Sequence, residues 1–166
     1  MLLMFETSCR NTWRLVVKKA DLVLFRLSAL WTAVGLASGL AYRELTRSSG
    51  FSGFTQLAVV HTHTLVLGTV VGLLLLVLKR VYQLGEDRRF GWFVWLWNVG
   101  LVLTAGGMAV KGTLQVIAPA VAESPALAGV SGLGHIVLTI GFVLLFLVLG
   151  RRVRHAQEPA VATASL

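Results

Sequence analysis

The sequence predicts an all-α integral membrane protein, a four-helix bundle with both termini on the cytoplasmic side. Three observations predict it. Of the 166 residues, 56% are hydrophobic and only 13% charged, and the mean hydropathy is +0.79. A soluble domain is about a quarter charged, so this chain lacks the polar surface to coat a water-soluble globule. The apolar residues fall in four long blocks, and Lys and Arg gather at the ends of those blocks. A cytosolic enzyme, a disordered tail and a disulfide-rich secreted module are excluded by this pattern.

Residues 1–21 read as a cytoplasmic N-terminal flank. Its basic residues precede an apolar block too long for a signal-peptide core, and no A-x-A-like site follows, so a cleavable signal is not expected. Span one covers 22–43, with Arg26 close enough to its inner end to snorkel. Span two covers 55–78. Span three covers 92–117 and opens on Trp92, Trp95 and Trp97, which read as an interfacial aromatic belt. Span four covers 127–149, and 150–166 is a cytoplasmic C-terminal tail. At about 1.5 Å per residue each block crosses a hydrocarbon core of about 30 Å.

Lys and Arg counts orient the bundle. Arg10, Arg14, Lys18, Lys19 and Arg26 flank span one. Lys79, Arg80, Arg88 and Arg89 join spans two and three, and Arg151, Arg152 and Arg154 follow span four. The opposite side carries only Arg43 and Arg47, and the loop 119–125 has none. Twelve against two places both termini in the cytoplasm. The net charge of +8 and the pI near 10.9 do not indicate nucleic acid, because no basic stripe alternates with stacking aromatics. The lone Cys9 forms no intrachain disulfide, and no CxxCH is present, which excludes a covalent c-type haem.

The ionisable residues inside the spans lie at one depth. His61 and His63 on span two, His135 on span four and Lys111 on span three sit roughly 9–12 Å below the outer ends of their helices. Gln115 lies one turn further out than Lys111. Ionisable groups in a membrane are costly and face a bundle interior or a site. The four spans contain no Asp or Glu, so a carboxylate relay or a two-His-plus-carboxylate metal site is disfavoured. The remaining ligands are imidazoles, which suit haem iron, copper or zinc. The competing reading is that the histidines are interhelical hydrogen-bonding glue.

Residues two apart on a helix point about 200° apart, so His61 and His63 cannot ligate one ion from a regular helix. They can serve opposite sides of it. His61 shares its face with Gly68 and Gly72, a strip that admits either a flat macrocycle or a close helix. The His63 face continues through Leu67, Val70 and Leu74 as an apolar wall. On span three, Gly100, Thr104, Gly107, Lys111 and Gln115 share one face. Small residues there would open space beneath Lys111, which either reaches an anionic group such as a haem propionate or snorkels to headgroups. Arg43 and Arg47 either meet the same propionates or are solvated as loop cations. The stripe Ser28, Thr32, Gly35, Gly39 and Tyr42 on span one reads as a helix-packing face.

The segment His61-Thr62-His63-x-x-x-x-Gly68 resembles a helix of the haem–copper oxidase superfamily in its nitric-oxide-reductase-like form. The resemblance implies one histidine on a high-spin haem, matched by His61, and the second on a low-spin haem, matched by His63. His135 would then be the distal low-spin ligand. That family's catalytic subunit is built of three pseudo-repeated four-helix units, and this chain has the length of one. No His-His pair and no His on span three are present to supply its copper site, and no Tyr lies near a His in a span. Through HTHTLVLG, WNVGLVLT, KGTLQV and GLGHIVL the chain also resembles small four-span bacterial membrane proteins of unknown function.

The expected function is a b-type haem protein of the membrane that transfers electrons, with His63 and His135 as axial ligands. One haem per chain is expected, or two if His61 holds another, and the second could bind a diatomic gas. The cofactor-binding set is His63, His135, His61, Lys111, Arg43, Arg47 and Gln115. The expected partners are lipid, further copies of the chain (a homotrimer first, then a dimer) and a quinone or redox protein. A non-haem transporter or channel subunit, or an assembly subunit with His and Lys as glue, is the alternative.

Overall fold

The computed structural model describes the backbone of residues 2–164 and the side chains of residues 21–156. The flank cations Arg10, Arg14, Lys18 and Lys19, and Cys9, lie outside the described side chains. The chain is about 90% helical, with no strand among the described residues. Helix α1 (Leu2–Ser48) contains span one. Span two runs through α2 (Leu57–His63), a π-helical segment (Thr64–Val70) and α3 (Val71–Val81). Helix α4 (Arg88–Ile117) is span three, α5 (Pro119–Ala122) is a single turn, and α6 (Pro125–Ala164) contains span four. Four helices are long and apolar enough to cross a membrane, which makes this a multi-pass membrane protein.

The helices overrun the apolar blocks, and local chemistry sets each end. Span one continues past residue 43, so Arg43 and Arg47 stand on its last turns rather than in a loop. It stops at Gly50, whose φ of 60° is left-handed. The Gly50 N–H reaches Arg47 O and the Phe51 N–H reaches Thr46 O, the paired bonds of a Schellman ending. Span two has its first N–H groups held by span three. Thr55 donates its hydroxyl to Gly112 O and accepts from Leu57 N, while Gln115 Oε1 accepts from Gln56 N at 2.8 Å. Asp87 caps span three through Arg89 N at 2.9 Å.

Between helices in lipid there is no hydrophobic driving force, so close backbone approach at small residues carries the packing. Span one lies along span two through the stripe expected for it. Gly35 faces Thr64 and Leu65, Gly39 faces His61, Ser28 meets Gly72, and the Thr32 and Thr69 hydroxyls are 2.9 Å apart. Span three packs most closely on span four. Gly100 meets Leu138, Gly107 meets Ser131, and Gly134 meets Thr104. Below them Trp97 stacks edge-on against Phe142, with centroids 4.6 Å apart. Spans two and three join the two pairs. Among the described residues, spans one and four share no extensive contact, nor do spans two and four. The helices therefore follow one another around an arc.

Where span two ends beside the start of span one, Lys79 is buried and paired with Asp21 at 2.6 Å, with Arg80 on the second carboxylate oxygen at 3.2 Å. Lys79 reads in the sequence as a loop cation. It is instead the last-turn residue that ties span two to the foot of span one.

Candidate functional site

His63 stands on the last turn of α2 and His135 in the N-terminal half of span four. Their rings meet across the opening between those spans, with centroids 6.4 Å apart and planes at 81°. Each imidazole is oriented by its own helix. His63 Nδ1 is 3.0 Å from Val59 O, and His135 Nδ1 is 2.8 Å from Ser131 O. A carbonyl only accepts, so Nδ1 is the donor in both rings, and this tautomer leaves Nε2 as the nitrogen that can ligate. A ligating imidazole is commonly fixed in this way by a carbonyl behind it. Imidazole nitrogens sit about 2 Å from a metal, so two of them on opposite sides of one ion have centroids about 6 Å apart. The observed separation fits that span.

The pair lies toward the surface of the bundle rather than within it. His135 is exposed and His63 half-buried, and Val66 and Val70, three and seven residues after His63 on the same side of span two, are exposed and apolar. Among the described residues, no group of three or more His, Cys, Asp or Glu side chains converges. The two imidazoles are thus the only protein ligands the pair offers.

His61 points the other way, as its spacing from His63 requires. It packs beneath span one, where a Cβ on Gly39 would lie 3.7 Å from its own Cβ. Like His63, it is half-buried. Its Nδ1 is buried with no hydrogen-bond partner. The glycine strip beside it is filled by a helix: Gly68 lies under Trp31 and Gly72 under Ser28. No macrocycle-sized space remains on that face.

The span three stripe is likewise closed. Gly100, Thr104 and Gly107 are buried against span four instead of opening space beneath Lys111. Lys111 itself is half-buried, and Arg43 and Arg47 are exposed. Gln115 is committed to capping span two.

Two features escape sequence reasoning. Trp92 and Trp95 are exposed as a belt should be, but Trp97 is buried and donates its indole N–H to Leu67 O at 3.0 Å. The available signal was its place in the series Phe93, Trp97, Gly100 and Thr104, which share one helical face and are all buried. The bond of Trp31 Nε1 to Asn98 Oδ1, at 2.8 Å, had no such signal.

No curated protein and no solved structure matches the chain. A family model described as a protein of unknown function, DUF2871, matches residues 22–152, which takes in all four spans and every histidine of the site. The chain belongs to the DUF2871 family.

Proposed function

We propose that this protein binds a b-type haem between His63 and His135, in the outer half of the bilayer, and serves electron transfer. The observation that carries the reading is the meeting of two imidazoles from separate helices, each with Nδ1 tied to a carbonyl and Nε2 left to ligate. Two protein ligands alone would hold a bare ion weakly, whereas a haem brings its own four ring nitrogens. The exposed apolar side chains beside the pair suit a macrocycle. A haem held by both His63 and His135 would supply one-electron transfer rather than substrate activation. The likeness of the His61–Gly68 segment to the haem–copper oxidase superfamily supports the same assignment.

The chain's own residues orient and insulate. Val59 and Ser131 set the imidazole tautomers, and the apolar inner halves of the spans keep water from the site. The charge pattern supports both termini in the cytoplasm, and the likeness to small four-span bacterial membrane proteins suggests a bacterial inner membrane. A quinone or a redox protein would exchange the electrons. The glue reading is weaker, because the polar bonds of both histidines run to their own helices rather than across to another.

Spectroscopy of the purified protein tests the proposal. A Soret band with sharp reduced α and β bands is expected. The near-perpendicular rings predict a strongly anisotropic low-spin EPR signal. His63→Ala and His135→Ala should each abolish the six-coordinate spectrum while the chain still inserts. A colourless wild-type protein, or variants that keep the wild-type spectrum, would overturn it.

A further inference from the structure

Directly after His63 the backbone leaves the α-helical ladder. Thr64–Val70 is π-helical, and the Val71 N–H reaches back five residues to Val66 O. Such segments are rare and concentrate at functional sites. A widened turn passes over a carbonyl, which in lipid must find another donor. The Trp97 indole supplies one to Leu67 O at 3.0 Å. Other contacts brace the same turn. The Thr64 hydroxyl bonds Val60 O and His61 O, Thr69 meets Thr32, and Trp31 covers Gly68.

The turn lies between two anchors. The outer one is Thr55 and Gln56 on span three. The inner one is Gly72 on Ser28 together with Lys79 on Asp21. An α-helix advances about 100° per residue. One residue more or fewer between the anchors would turn His63 by about that angle against the rest of the bundle. The widened turn lets both anchors hold while His63 faces His135.

We infer that Trp97 is a positioning residue for the His63–His135 pair: by holding the widened turn at Leu67, it sets the rotation of His63 about span two. The inference rests on the reading of that pair as the functional site, and it concerns the chain's own geometry whichever metal the pair takes.

The test uses the full-length protein produced without haem and titrated with Cu2+, read by EPR for nitrogen coupling. The wild type should show two coupled imidazoles, and His135→Ala should lose that signal. Trp97→Phe keeps an aromatic ring beside Phe142 and removes the indole N–H together with part of the ring volume. It should weaken Cu2+ binding about 10- to 100-fold and leave one coupled nitrogen. Trp92→Phe, on the exposed belt, should match the wild type. If Trp97→Phe does not fold, deletion of the outward-facing Val66, which restores the α ladder, decides in its place. Unchanged affinity and two-nitrogen coupling in the folded variant overturn the inference, and so does a wild type without two-nitrogen coupling. A wild type that takes no haem but binds Cu2+ through both rings sinks the haem assignment and leaves the positioning role standing.

Discussion

A histidine facing the lipid side of a bundle is expensive unless something uses it. His135 is exposed, and its Nδ1 is already satisfied by Ser131 O, so only Nε2 remains to be used. Lys111 poses the same question near the C-terminal end of span three, half-buried one turn beyond the helix contact of Gly107 with Ser131. A cation near a haem favours the reduced form, which carries one positive charge fewer. Lys111→Met keeps the stem and removes that charge. It should lower the midpoint potential by on the order of tens of millivolts, a Coulomb effect at an effective dielectric near 20. Potentiometric titration measures this, and an unchanged value would leave Lys111 as a snorkelling cation.

Elements meet in this protein where side chains are smallest. A Cβ at Gly112 would collide with the backbone of Leu57, at the point where span three caps span two. Neither partner is a flexible side chain, so the contact cannot relax cheaply. Gly112→Ala should therefore destabilise the bundle by about 1–3 kcal/mol. Gly106 lies on the same helix with nothing within 4 Å of a built Cβ. Gly106→Ala should be neutral, or stabilising by up to about 1 kcal/mol from helix propensity. Thermal unfolding of the two variants in detergent compares them, and equal midpoints would contradict the interhelical cap.

For the molecule as a whole, the arc of spans leaves one side open, and the His63–His135 pair sits on it. A haem there would have an edge toward lipid in a single chain. Further copies packed over this face would cover it, and identical chains usually close into rings. The surface concerned is the one with His63 and His135, not the side of span two on which His61 packs beneath Gly39 of span one. Native mass spectrometry in mild detergent should find a homotrimer, or failing that a dimer. A monomer with its full cofactor complement, unchanged by Val70→Lys, would count against assembly through this face.

Composition and block length alone determine a four-span helical membrane protein, because crossing about 30 Å of hydrocarbon demands long apolar helices. The opposed directions of His61 and His63 were equally legible, since helical rotation follows from spacing. Which neighbour each would meet was not. Glycines at Gly68, Gly72, Gly100 and Gly107 read equally as room for a ligand or as helix contacts, and only the packing shows spans one and four filling them. Gln115 and Lys79 left the roles their sequence positions suggested for the same reason: their partners, Gln56 and Asp21, are 59 and 58 residues away. The widened turn after His63 has no sequence signature, because it balances anchors at both ends of span two against the Trp97 N–H on span three. Local sequence sets where a helix runs, but the rotation of a side chain within a bundle is decided by contacts distant in the chain.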